Sequence, residues 1–99
     1  MLNITNKTTG STGIVAVEGR LDTTTAPLLE EQLKGLFDSI ETLVLDFGEL
    51  EYISSAGLRV LLSSQKIMQK KGGMTVKNSS SGIKEIFETT GFTDILTIE

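Results

Sequence analysis

The segment Leu43-Val44-Leu45-Asp46-Phe47 constrains the fold more than any other part of the chain, because it is almost entirely apolar. A strand with one solvent-facing side alternates apolar and polar residues, whereas a buried strand of a parallel sheet reads as a nearly continuous apolar run. The segment therefore predicts a central strand that is covered on both sides.

Strand and helix patterns alternate around this segment. Strands are predicted at Leu2–Thr5, Ile14–Glu18, Leu43–Phe47, Met74–Asn78 and Ile95–Ile98. Helical patterns follow Thr25, Ser55 and Ser81. The order β-β-α-β-α-β-α-β predicts an α/β domain with a mostly parallel sheet of about four to five strands and right-handed connections. The short turn after the first strand favours a hairpin, which adds one antiparallel strand.

The helical segments carry their own start and stop signals. Thr25 is predicted to cap a helix whose apolar stripe continues to Ile40. The second helix is predicted from Ser55 to Lys71, just before two glycines. Ser81 is the predicted cap of the third helix, and Gly91 fits the left-handed residue that ends it.

The residue types that are missing exclude much chemistry. The 99 residues contain no cysteine and no histidine, so disulfides, zinc–thiolate sites and Ser-His-Asp triads are excluded. We therefore expect neither an enzyme nor a protein with a cofactor or bound metal. The length is typical of one domain, residues 1–99. The lack of cysteines and of an apolar leader sequence favours a cytoplasmic protein.

The net charge of the chain limits the classes of partner that it can bind. Nine Lys and Arg residues against 13 Asp and Glu residues give a net charge of −4, which disfavours nucleic acid and anionic membrane surfaces. The longest apolar run, Ile14–Val17, is far shorter than the roughly 20 residues that span a bilayer.

Two loops are candidates for a functional site. Gly19–Thr25 and Gly48–Ser55 each follow a predicted parallel strand, and function in open α/β sheets concentrates at the carboxyl ends of such strands. We therefore expect both loops to meet at one edge of the sheet.

Ser55 has three possible roles at that edge. It can cap the helix that starts there, accept a phosphate, or act as a nucleophile. The nucleophile is disfavoured because no histidine or Ser-x-x-Lys pair can activate it. Asp46 resembles the phosphate acceptor of a receiver domain in position, but no acidic pair closes the first parallel strand. A structural role for Asp46, in which it accepts backbone N–H groups of the following loop, fits better.

The sequence LVLDFGELEYISSAGLRVLL, residues 43–62, resembles the STAS family, the anti-sigma factor antagonist domains of bacteria. Gly19-x-Leu21-Asp22 and Phe87…Thr90-Gly91-Phe92 match the same family. Family members often have aspartate where this chain has Ser54, and many have serine where it has Ala56. The similarity spans nearly the full chain and implies a STAS-like α/β fold.

The resemblance implies a switch between protein partners. The partner would be an anti-sigma factor that is also a serine kinase and binds ATP itself. It would phosphorylate Ser55, with Ser54 as the second choice. The unphosphorylated form would bind this partner and release a sigma factor, and a serine phosphatase would reset the switch. The free protein is expected to be a monomer.

The partner-binding surface is expected around the phosphate acceptor. Its predicted members are Asp22, Thr23, Tyr52, Ser54, Ser55, Ala56, Gly57, Leu58, Arg59 and Leu62. An alternative role within the same family is a scaffold or a regulatory subunit of another system, such as a transporter, without phosphorylation of Ser55.

Overall fold

The computed structural model describes residues 2–99, which form six strands and three helices. The strands are β1 (Leu2–Thr9), β2 (Thr12–Leu21), β3 (Thr42–Asp46), β4 (Leu50–Ile53), β5 (Met74–Lys77) and β6 (Thr97–Ile98). The helices are α1 (Ala26–Lys34), α2 (Ser55–Met68) and α3 (Ser81–Thr90), and short 3-10 turns cover Phe37–Ser39 and Phe92–Asp94.

The sheet has the order β1-β2-β3-β5-β6, and β4 pairs with β2 outside this path. β1 is antiparallel to β2, and all other pairs are parallel. The predicted α/β fold with one antiparallel hairpin strand is therefore confirmed. The sixth strand is β4, which was predicted as loop. It forms because the ten-residue β2 extends past β3, so that Gly19–Leu21 can pair with Leu50–Ile53.

The prediction that the central strand is covered on both sides is wrong. Leu43, Leu45 and Phe47 are buried, but Val44 and Asp46 on the opposite face are only half-buried. The connections β2-α1-β3, β3-α2-β5 and β5-α3-β6 all step in one direction across the sheet. Right-handed crossovers in a single direction place every helix on the same face. The core therefore lies between the helices and one side of the sheet, where their buried apolar residues form one cluster.

Two helices end earlier than predicted. α1 stops at Lys34, and Gly35 is followed by a 3-10 turn that carries the buried Phe37. Glycine disfavours a helix interior by about 1 kcal/mol, so the apolar stripe continues without a continuous helix. α2 ends at Met68, not at Lys71. The Lys71 ammonium instead donates to the backbone carbonyls of Phe37 and Ile40, which ties the end of α2 to the turn after α1.

The ends of α3 show one correction and one confirmation. Ser80, not Ser81, caps the helix, since its Oγ accepts the N–H of Ile83 at 3.3 Å. Gly91 ends the helix with φ of 81°, in the left-handed region that glycine adopts without a Cβ penalty.

Candidate functional site

The two candidate loops lie side by side at the carboxyl ends of the parallel strands. The N–H of Ser54 donates to the carbonyl of Leu21 at 2.8 Å, and the N–H of Gly19 donates to the carbonyl of Glu49 at 3.0 Å. The expected meeting of the loops at one sheet edge is confirmed. β4 is the element that joins them, because it lies parallel to the end of β2.

Asp22 holds the first loop together from within. Its Oδ1 accepts hydrogen bonds from the N–H groups of Thr24 and Thr25, at 3.0 and 3.1 Å, and from the Thr24 hydroxyl at 2.8 Å. Thr25 does not cap α1 with its side chain as predicted. Its hydroxyl donates to the carbonyl of Arg20 at 2.8 Å instead. These bonds make Asp22 an organiser of the loop beside α2.

The hydrogen bonds of Asp22 predict that the pKa of its carboxyl group is lowered, which can be measured. The Thr24 hydroxyl, together with the backbone N–H groups of Thr25 and Thr24, holds the pKa of Asp22 below its ordinary value of 3.8 and outweighs the opposing effect of desolvation. Because the folded pKa is lowered, these bonds are present at neutral pH and are lost only as the pH falls through that lowered value. An NMR titration of the Asp22 carboxyl carbon is expected to give a midpoint below 3.8.

Two threonine variants test which bond is responsible. Thr24→Val is expected to move the Asp22 midpoint upward, because it removes the largest contribution. Thr23→Val is the matched control, since Thr23 is exposed and adjacent, and it makes no hydrogen bond to Asp22 in residues 2–99. A midpoint that Thr24→Val leaves in place would contradict the assignment.

The two adjacent serines differ in what their hydroxyls do. Ser54 has extended backbone and is the N-cap of α2, where its Oγ accepts the N–H of Gly57 at 3.4 Å. Ser55 is the first residue of α2 and is exposed, and its hydroxyl makes no hydrogen bond within residues 2–99. Capping is therefore performed by Ser54, and the hydroxyl of Ser55 remains free at the positive end of the helix dipole.

The start of α2 packs closely on the sheet through Gly57. A Cβ at this position would lie 2.8 Å from both Ile53 Cγ1 and Leu21 Cγ, which is closer than real Cβ contacts. Leu58 follows and is 7% exposed. Both residues are buried in the free chain, and their predicted contact with a partner stays a prediction.

The outer side of α2 carries three more residues of the predicted partner-binding surface: Ala56, Arg59 and Leu62. Ser55, Arg59 and Leu62 follow one another at offsets of four and three residues, so they share one helix face. Arg59 is exposed, while Leu62 and Ala56 are half-buried. We call the face formed by Ser55, Arg59 and Leu62 the α2 stripe.

A cleft of about 390 Å³ lies beside the α2 stripe, between α1 and α2. It is lined by Thr23, Ala26, Pro27, Glu30, Ala56, Arg59, Val60 and Ser63. The contributions of α1 and Ser63 were not predicted, because only the packing of the two helices brings these residues to the stripe. This α1–α2 cleft extends the candidate surface away from Ser55.

Tyr52 lies on the other side of the site, on β4. It is 37% exposed, and the Arg20 guanidinium carbon lies 4.4 Å from the centre of its ring. Such cation–π contacts hold an aromatic ring in place even at exposed sites. Glu49 and Glu51 are exposed in the same segment, so β4 and the turn before it present acidic side chains to solvent.

Asp46 stabilises the turn that follows β3. Its Oδ1 accepts the N–H of Gly48 at 2.9 Å and the side-chain amide of Asn78 at 3.1 Å. The structural role expected for Asp46 is confirmed by these bonds. Residues 2–99 contain no group of three or more acidic side chains that could hold a metal ion. Nor is any helix in the described part long and apolar enough to cross a bilayer.

Comparisons with known proteins identify the family. The chain is 37% identical over 87 residues to BtrV of Bordetella bronchiseptica. The matched region covers 86% of this chain and 75% of BtrV. The chain is 32% identical over 85 residues to the anti-sigma-B factor antagonist of Bacillus subtilis, covering 85% of this chain and 78% of that one.

Solved structures share the fold. An anti-sigma factor antagonist from Mycobacterium paratuberculosis has a TM-score of 0.90 at 24% identity and covers 99% of this chain and 85% of that one. The antagonist SpoIIAA of Bacillus has TM-scores of 0.81 in its unphosphorylated form and 0.75 in its phosphorylated form, both at 16% identity. Both matches cover 100% of this chain; they cover 88% of the unphosphorylated SpoIIAA chain and 91% of the phosphorylated one. The family model of the STAS domain matches residues 3–99, and the chain therefore belongs to the STAS domain family.

Proposed function

We propose that this protein is an anti-sigma factor antagonist that is switched off by phosphorylation of Ser55. The observation that carries the proposal is that the two adjacent serines have different roles. Ser54 caps α2, whereas the hydroxyl of Ser55 is exposed and makes no hydrogen bond within residues 2–99. The anti-sigma-B factor antagonist of Bacillus subtilis supports the same role by similarity. Solved structures of SpoIIAA in two phosphorylation states support the same kind of switch.

A phosphate on Ser55 is compatible with the fold. The first turn of a helix has unpaired N–H groups and about half a positive charge, and both stabilise an anion. Arg59 lies one turn further along the same face, and helical side chains lean toward the N-terminus. The modification therefore changes the surface without requiring any movement of the backbone.

The same phosphate is unfavourable to a bound partner. In the proposed complex, the α2 stripe and the α1–α2 cleft contact an anti-sigma factor that is also a serine kinase, and Thr23 and Tyr52 border the contact. Phosphorylation adds roughly two negative charges to this surface, where Glu49 and Glu51 are already acidic. Desolvating that charge in an interface weakens binding. A serine phosphatase would restore the binding form, and we place this exchange in the cytoplasm.

The proposal predicts the site of modification. Incubation with ATP and the proposed partner, an anti-sigma factor that is also a serine kinase, is expected to add one phosphate, which mass spectrometry locates on Ser55. Ser55→Ala is expected to abolish labelling. Ser54→Ala is the matched control and is expected to retain it, with stability lower by about 1 kcal/mol from the lost cap.

Two outcomes would count against the proposal. Labelling that disappears in Ser54→Ala but persists in Ser55→Ala would move the acceptor to Ser54. A protein that binds its partner equally well before and after phosphorylation would favour the scaffold role instead. Partner binding measured on the phosphorylated and unphosphorylated forms distinguishes the switch from the scaffold.

A further inference from the structure

Arg59 is an unpaired cation one helical turn from the proposed phosphate acceptor. Its side chain is exposed, and its guanidinium forms no ion pair or hydrogen bond within residues 2–99. The one ion pair of the described chain lies elsewhere, between the end of β5 and Glu99. The other arginine, Arg20, lies over the ring of Tyr52. The guanidinium of Arg59 is therefore available to an anion that is introduced at this surface.

The spacing of Ser55 and Arg59 suits an ion pair. α2 runs from Ser55 to Met68, so the two residues lie four positions apart in one continuous helix. At this spacing the Cβ atoms are roughly 5–6 Å apart, and the pair is stronger when the anion precedes the cation. Long side chains in a helix also extend back toward its N-terminus. A phosphate on Ser55 would therefore lie within reach of the guanidinium.

Arg59 also belongs to the α1–α2 cleft. Arg59 and Glu30 are the two charged residues among those that line this cleft, and they lie on different helices. Glu30 is half-buried, and it forms no ion pair with Arg59. The unmodified cleft therefore presents one unpaired charge of each sign.

We propose that Arg59 binds the phosphate on Ser55 and thereby transmits the modification to the α1–α2 cleft. This inference rests on the proposed function, because it takes Ser55 as the site of the phosphate. Arginine binds phosphate through two parallel N–H···O bonds. The guanidinium is then held at the start of α2, and its charge no longer balances that of Glu30. A partner that approaches the cleft meets a net negative charge, although the backbone has not moved.

The start of α3 provides a matched position without this arrangement. Ser81 is the first residue of α3, is exposed and follows a capping serine, as Ser55 does in α2. Three and four positions further along are Lys84 and Glu85, whose charges cancel. A phosphate on Ser81 would therefore meet no net positive charge at these two positions, whereas a phosphate on Ser55 would meet Arg59.

NMR of the arginine side chains tests the phosphate contact on the full chain. Phosphoserine is incorporated at position 55 during translation, so the result does not depend on a kinase. The chain has two arginines, Arg20 and Arg59, and Arg59→Gln identifies their Nε–H signals. Phosphoserine at position 55 is expected to slow the exchange of the Arg59 Nε–H with water by about twofold or more. The Arg20 signal should not change, and phosphoserine at position 81 should affect neither.

Thermal unfolding provides a second readout of the same contact. Phosphoserine at position 55 is expected to raise the melting temperature by about 2–4 °C more in the otherwise unmodified chain than in Arg59→Gln. Arg59→Lys is expected to keep part of this difference, because an ammonium retains the charge but cannot form the two parallel bonds. Arg59→Gln without the phosphate should unfold at nearly the same temperature as the unmodified protein, since Arg59 has no ion pair to lose.

Partner binding tests the effect on the cleft. Arg59→Gln in the unphosphorylated protein is expected to weaken binding to the proposed anti-sigma partner by about tenfold, because the cleft loses its cation. Lys84→Gln is the matched control, since it removes the same charge from α3, outside the lining of the cleft. Its binding should be unchanged.

The proposal and the proposed function fail in different ways. An Arg59 signal that is indifferent to phosphoserine at position 55, together with an equal rise in melting temperature in Arg59→Gln, would overturn the phosphate contact. Normal partner binding by Arg59→Gln would overturn the transmission to the cleft. A kinase that modifies a residue other than Ser55 would overturn the proposed function, while the contact measured with incorporated phosphoserine would stand.

Discussion

Replacing Ser55 with aspartate is expected to weaken binding to the anti-sigma partner by about a hundredfold, which corresponds to roughly 2.7 kcal/mol. The added carboxylate lies at the exposed start of α2, where the partner would have to desolvate it. The same charge favours the positive end of the helix dipole by about 0.3–1 kcal/mol. The melting temperature is therefore expected to stay level or rise slightly. Isothermal titration calorimetry and thermal circular dichroism measure the two effects separately.

The chain offers a matched control for this prediction in Ser81. It is the first residue of α3, is exposed, and follows a capping serine, as Ser55 does in α2. Ser81→Asp is expected to affect stability in the same way while leaving partner binding unchanged. Ser55→Ala should bind at least as tightly as the unmodified protein. If both aspartate variants bound equally weakly, net charge and not the position of Ser55 would control binding.

The largest effect on stability is expected from Phe47→Ala. Phe47 has no exposed surface and is among the largest fully buried side chains. Removing its ring is expected to lower the free energy of unfolding by about 3–5 kcal/mol, because the transfer free energy is lost and a cavity remains. For a domain of this length, the melting temperature should fall by about 15 °C or more. Urea denaturation with an unchanged m-value measures the loss.

Phe92→Ala provides the comparison for Phe47→Ala. Phe92 is half-buried at the margin of the same core, so the same change of residue removes less buried surface. Its cost is expected to be at most about half that of Phe47→Ala. Equal costs at the two positions would contradict the difference in burial between Phe47 and Phe92.

The order of the elements could be predicted because its signals are local. Hydrophobic periodicity, turn residues and capping residues act over a few positions, and they placed three helices and five of the six strands. β4 was missed because it is four residues long and its buried pattern has no periodic signal. It is stabilised by the end of β2, a contact between residues about 30 positions apart.

The surface around Ser55 was predictable only in part. The meeting of the two loops follows from a general rule of parallel sheets, so it could be predicted from the sequence. The burial of Gly57 and Leu58 did not follow, since a helix can turn different faces to its sheet. The α1–α2 cleft requires two helices that are adjacent in space but separated in the chain by two strands.

The sequence by itself determined the alternation of strands and helices, the absence of thiol and imidazole chemistry, and the serine pair at the start of α2. Only the tertiary structure decided that one face of the sheet is uncovered, because this depends on all crossovers stepping in one direction. It also decided which serine is the cap. The N–H of Ser54 bonds to the carbonyl of Leu21, and this long-range bond sets where the helix begins and leaves the hydroxyl of Ser55 free.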